Sequence, residues 1–234
     1  FFGANSSFLG FNAFPPANLK SRPGDPKDLT CGGNNPTWFV RILPYIEQKA
    51  LFKQWDVWDE FGKHPAEVRE TSVEMFLCPT RRSGKNVCLE QTVLITLSCG
   101  CTGSTKFPGG ASGDYAANQG DFSPGADSLP TDFYWGGNGT GVIIASRPRC
   151  DDMQKPIQWI DKIRLNDLED GATSTVLVGE KHLTQGKMNV ALDDVSVYDG
   201  RHLPAFARIG GPGVPLARDP KFVDPNYYSF GSWH

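Results

Sequence analysis

The chain has 234 residues, 39% hydrophobic and 21% charged, with a formal net charge of −3. Its Lys and Arg residues are scattered, which argues against nucleic acid, because that partner needs a concentrated basic face. No apolar run approaches the roughly 18 residues of a membrane span, and no basic-then-apolar signal precedes the first turn.

Residues 1–36 are rich in Phe, Asn, Gly and Pro, with FPPAN at 14–18 and SRPGDP at 21–26. These turn signals with aromatic anchors predict an irregular segment packed on the surface. The block from Trp38 to Trp55, WFVRILPYIEQKALFKQW, is the best organised. It reads as an apolar extended run that turns at Pro44 and continues as a short amphipathic helix. Proline suits a first helical position because its missing N–H has no intrahelical partner there. Ile46, Ala50 and Leu51 then share one face, with Glu47, Lys49 and Lys53 turned outward. Trp38, Leu43, Pro44, Ile46, Leu51 and Trp55 are therefore expected to pack, with no obvious chemistry.

A short helix is expected at 65–70 (PAEVRE), then a strand from Val73 to Cys78 that reaches a Pro stop. Val87 to Ser98, VCLEQTVLITLS, is β-branched and apolar and predicts a strand or hairpin. Residues 106–141 form a long Gly-dotted region with a short strand at Asp114–Asn118, and Val142–Ala145 is a brief strand. In IRLNDLEDGATSTVLVGE (163–180) the pattern predicts a helical turn at Asn166–Asp170, Gly171 as its stop, and a strand from Ser174 to Gly179. Weak strands and Gly-Pro turns fill 181–234. No repeat or clean linker appears, so one mixed domain over 1–234 is expected.

The six Cys residues, Cys31, Cys78, Cys88, Cys99, Cys101 and Cys150, form no Cys-x-x-Cys pair, and no His lies at zinc-like spacing from one. Their even number, in a chain rich in Gly and Pro, suits disulfides and an oxidising compartment. Connectivity stays open, since six Cys allow fifteen pairings. Cys99 and Cys101 lie on one side of a strand and are expected to seek different partners.

Chemistry-bearing patterns are sparse. No Gly-x-Ser-x-Gly elbow is present, and GGNGTG at 136–141 lacks the Lys-Ser/Thr of a phosphate loop. Asp167, Glu169 and Asp170, with Asp151 and Asp152 upstream, could hold a structural calcium through hard oxygen ligands. Turn-making and the preference of acids for helix N-termini explain them equally. Glu180 and His182 lie on one side of a continuing strand, where they would bind metal, move protons or simply pair. His64 and His202 have no partner nearby in sequence. Tyr134 and Trp135 in a Gly-rich loop would either stack on carbohydrate or pin the loop to a sheet.

Several segments together resemble a large prepilin-like family of planctomycete bacteria that carries a domain of unknown function and a C-terminal His-x9-Asp-Gly motif. They are Phe14-Pro15-Pro16-Ala17, the Trp38–Phe52 block, Phe76-Leu77-Cys78-Pro79, Asp114–Asn118, Asp170–Glu180 and Phe230–His234. The resemblance implies a cleaved leader and a long apolar helix, as in type IV pilins and pseudopilins, which are absent from this chain. It further implies an α+β pilin-like head built on an antiparallel sheet, with short helices and long Gly/Pro-rich loops. His234 resembles the first residue of the C-terminal motif, and residues 80–141 look like an elaboration on the family core. The family carries no established catalytic residue. Gly171 and Gly179, within the matched segments, are expected to make turns or close backbone contacts.

These readings predict a structural subunit of a surface or secretion-associated filament, self-associating or joining other pilin-like subunits, without a cofactor and outside the cell. Membrane contact would come only through the missing helix. The alternative is a secreted carbohydrate- or ligand-binding module using Tyr134 and Trp135. A hydrolase built on Glu180, His182 and the acids at 167–170 ranks last.

Overall fold

The computed structural model describes residues 13–22, 24–96, 102–121, 139–211, 214, 216–224 and 229–232. Its elements are short, as a chain with 26 Gly and 18 Pro dictates. Among the described residues three brief α-helices precede the strands: α1 (Trp38–Ile42), α2 (Lys49–Phe52) and α3 (Ala66–Arg69). The strands that follow make four small sheets among the described residues: β1 (Val87–Cys88), β2 (Gln91–Thr96), β3 (Thr102–Phe107), β4 (Gly110–Ala111), β5 (Tyr115–Asn118), β6 (Pro148–Cys150), β7 (Pro156–Trp159), β8 (Val178–Glu180) and β9 (Ala207–Arg208). The class is mixed α+β.

Trp38–Ile42 is helical, not the extended run its apolar character predicts. Thr37 decides this: its side chain accepts the Phe39 N–H, satisfying a donor that a helix start otherwise leaves free. The expected helix from Pro44 does not form as one piece. A 3₁₀ turn occupies Leu43–Tyr45, Glu47 takes a left-handed φ of 64°, and α2 starts only at Lys49. The change of direction buries Leu43, Leu51 and Trp55 but leaves Ile46 and Pro44 half-buried and Ala50 exposed.

Two further expectations are corrected. Residues 73–78 hold a 3₁₀ turn at Glu74–Phe76 where a strand was predicted, and Val142–Ala145 is buried but not a strand. The run 87–98 does hold strand β2, but its hairpin partner is β3 beyond that run, in continuous antiparallel register from Gln91↔Phe107 to Thr96↔Thr102.

Among the described residues the antiparallel pairing expected is spread over several small sheets, and the sheet most relevant to the site is mixed. Its order is β8-β5-β9, with β5 antiparallel to β8 and parallel to β9. One apolar core, from Ala17 to Ile209, joins the helical block to this sheet. Phe39 meets Phe76 edge-on with ring centroids 4.7 Å apart, and the Trp38 indole N–H donates to Phe206 O at 2.9 Å.

Candidate functional site

Asp114 opens β5 and is fully buried. Its N–H donates to Phe76 O, and its carbonyl accepts the Lys181 N–H, both at 2.8 Å. Its carboxylate accepts Cys78 N–H at 2.9 Å, Arg81 Nη1 at 3.2 Å and Arg82 Nη2 at 2.7 Å. Arg82 Nη1 then reaches Asp194 Oδ2 at 2.8 Å, and Lys181 Nζ reaches Asp194 Oδ1 at 2.9 Å. Arg81 also donates to Lys181 O at 3.0 Å and Gly231 O at 3.2 Å, with Glu180 Oε2 3.8 Å away. Gly231 N–H closes the circuit on Glu180 O at 2.9 Å.

Four segments distant in sequence, 76–82, 114–118, 178–181 and 230–231, are thus tied at one buried point. Local structure makes this feasible. The chain turns sharply after Cys78, whose carbonyl accepts the N–H of both Arg81 and Arg82 at 3.0 Å, throwing two guanidinium groups inward from adjacent residues. Lys181 follows directly on β8 and is fully buried.

The charges are mutually held. Burial pulls the Lys181 ammonium down to about 8 against the pull of Asp194. Burial pushes the Asp194 carboxyl up, but Lys181 and Arg82 outweigh it and hold it at about 2. For Arg82, burial opposes the charge, and Asp194 and Asp114 reverse the balance so that its affinity for the proton rises. Charge-assisted bonds in a low-dielectric interior are strong while complete, and removing one partner strands the others. What this arrangement does chemically is hold backbone segments in place.

Glu180 and Gly231 also line a groove of about 400 Å³ with Asn118, Val176, Gly179, Leu216 and Phe230. Val176 and Leu216 are 58% and 61% exposed at its rim. A Cβ on Gly179 would lie 3.0 Å from the Phe230 ring, a close approach the ring would have to yield to accommodate. Gly171 has φ +77° but stops no helix: the 3₁₀ turn is Leu165–Asp167, capped by Leu168, and Gly171 closes the next turn by donating to Leu168 O at 3.0 Å.

The other expected site residues are dispersed. Asp167, Glu169 and Asp170 are exposed; Asp167 accepts the Arg164 N–H at 2.8 Å as a cap, and Asp151 closes a turn on Met153 and Lys155. Among the described residues no group of three or more His, Cys, Asp or Glu could hold a metal ion. His182 Nε2 lies 2.8 Å from Phe222 O, whereas Glu180 faces Arg81. His64 is buried, with its Nε2 accepting the Asp56 N–H at 3.0 Å. Cys31 and Cys150 form a disulfide, Cα–Cα 5.8 Å, across 119 residues. Cys78 and Cys88, expected in disulfides of open connectivity, are buried thiols; burial raises the Cys88 thiol to about 11. Cys99, Cys101, Tyr134 and Trp135 lie outside the described residues.

Sequence reading missed Arg81, Arg82, Lys181, Asp194 and Arg41. A signal existed for three of them: Arg81 and Arg82 closely follow Phe-Leu-Cys-Pro, and Lys181 directly follows Val-Gly-Glu. Asp194 and Arg41 carry none. Arg41 is buried beneath Trp58 and Trp159, its guanidinium carbon 4.6 and 5.4 Å from their ring centroids, and burial lowers it to about 9.

A family described as a protein of unknown function (DUF1559, SBP_bac_10) matches residues 10–203, and the chain belongs to that family. The match includes Asp114, Arg81, Arg82, Lys181 and Asp194 but not Phe230 or Gly231. No curated protein and no solved structure matches the chain. Among the described residues no helix is long and apolar enough to cross a membrane.

Proposed function

We propose that this chain is the head of a pilin-like structural subunit in a cell-surface or secretion-associated assembly. The observation that carries the reading is the convergence of the resemblance-bearing segments on one buried ionic knot. Phe76–Pro79, Asp114–Asn118, Gly179–Glu180 and Phe230–Gly231 meet where their polar groups are used on each other. Residues used this way serve rigidity, which a subunit repeatedly loaded by its neighbours needs. The Cys31–Cys150 disulfide suits an oxidising compartment and supports export. A second reading, a secreted binding module, is favoured by the groove beside Phe230, whose apolar rim would suit a hydrophobic ligand segment.

The test is expression of the complete gene product in its source cell, followed by surface labelling, in-cell cross-linking and negative-stain imaging. Surface-accessible protein that yields a cross-linked ladder is expected. Protein confined to the cytosol with reduced Cys31 and Cys150, or full-length material found only as monodisperse globules, would defeat the reading. Leu216→Glu that leaves cross-linking intact but abolishes capture of an apolar ligand would favour the binding module.

A further inference from the structure

The β2–β3 ribbon has a divided character. Its alternate residues Gln91, Val93, Gly103, Thr105 and Phe107 are buried or half-buried, whereas Thr92, Leu94, Thr102, Ser104 and Lys106 are exposed. Val93 packs against the core, and the Gln91 amide anchors the base by donating to Asn189 O at 3.0 Å and accepting Ala191 N–H at 2.9 Å. Among the described residues the ribbon is a sheet of two strands, and within them each strand keeps one open edge of main-chain N–H and C=O groups. Such edges template pairing with another chain unless they are blunted.

The two edges are not equivalent. β3 carries Lys106 on its solvent face, tied to Glu90 at 2.9 Å, and a lysine is a common way to blunt an edge. β2 reads Gln-Thr-Val-Leu-Ile-Thr, with no charge, no Pro and no Gly. It has the composition of a strand that pairs readily with its own kind, and Leu94 at its centre is 72% exposed.

We propose that β2 is a self-association edge, pairing antiparallel with β2 of a second copy of this chain to form a continuous four-stranded sheet. The strand is self-complementary in charge because it has none, so identical copies meet without repulsion. A twofold axis perpendicular to the ribbon keeps both solvent faces on one side, which places Leu94 against Leu94 or Thr92 of the other copy. Cross-strand apolar pairs of this kind stabilise a sheet, and four strands are sturdier than two. The competing partner edge, β8, is only three residues long, and its outer side is already bridged where Lys181 meets Phe230. This inference rests on the assembly reading and names a surface for it.

The experiment is sedimentation velocity on this chain across a wide concentration range, with Leu94→Lys, Leu94→Glu, Val178→Lys and an equimolar mixture of the two Leu94 variants. Far-UV circular dichroism checks that each variant folds, which an exposed position permits. A concentration-dependent dimer is expected, at least about tenfold weaker in each Leu94 variant alone and restored in the mixture, with Val178→Lys unchanged. A chain that stays monomeric throughout, or a dimer insensitive to the Leu94 variants, or one abolished by Val178→Lys instead, overturns it. If the full-length product assembles at the cell surface while this chain stays monomeric, the inference fails and the assembly reading survives. If the dimer forms as described but the full-length product is neither exported nor assembled, the reverse holds.

Discussion

His202 shows how burial sets a single residue's behaviour. Its Nε2 lies 2.8 Å from Leu192 O, and its ring meets Phe107 edge-on at 5.6 Å. Burial, outweighing the Leu192 bond, drops its pKa from 6.5 to about 4. The unfolded chain therefore binds the proton more readily than the fold between those values. Stability from this residue is full above pH 6.5, falls as the pH descends towards 4, and is gone below it. The effect is at most about 3 kcal/mol, less whatever solvent reaches the ring. Urea unfolding at stepped pH should show wild type weakening from pH 6.5 to 4 and His202→Gln losing much less over the same interval. Parallel curves would refute this. Nothing in the sequence marks His202, because the residues that enclose it come from positions 107 and 192. Arg41 was hidden for the same reason: Trp58 and Trp159 make its pocket, and only the fold brings them together.

Among the elements, what was legible depended on whether the governing signal was local. The left-handed turn at Gly171 and strand β2 followed from glycine chemistry and a β-branched run, both read over a few residues. The apolar residues of Trp38–Ile42 suit a strand as well as a helix, and the Thr37 cap decides for the helix. The strand expected at 73–78 gave way to a 3₁₀ turn whose Phe76 carbonyl is claimed by Asp114, a tertiary demand with no local trace. The disulfide was foreseen only as a class. Which cysteines pair is fixed by where residues 31 and 150 meet, and the buried thiols of Cys78 and Cys88 show that an even count does not oblige every cysteine to join a disulfide. Because the bridge closes a loop of 119 residues, its loss removes a large constraint on the unfolded chain. The double variant Cys31→Ser/Cys150→Ser should be less stable by about 2–5 kcal/mol in chemical denaturation. A change below about 0.5 kcal/mol, the scatter of an ordinary surface substitution, would mean the bridge carries no load.

At the scale of the molecule, the four small sheets and three one-turn helices among the described residues do not provide a continuous layer to carry the fold. The chain instead gathers distant segments at Asp114, between Arg81 and Arg82, and passes the constraint through Asp194 to Lys181. Most of these residues sit in or beside segments that sequence comparison recognises, yet the sequence presents them as separate pieces. Their meeting point is a property of topology, as is the mixed sheet β8-β5-β9 that frames it. The direct test is Asp114→Asn, which keeps the volume, removes the charge between two buried guanidinium groups, and turns an amide NH₂ towards one of the donors. Hydrogen exchange read by mass spectrometry, with denaturant unfolding alongside, should show a loss of about 3–5 kcal/mol. Protection should fall together in 78–82, 178–181 and 229–231. A loss under about 1 kcal/mol, or deprotection confined to 78–82, would contradict the account.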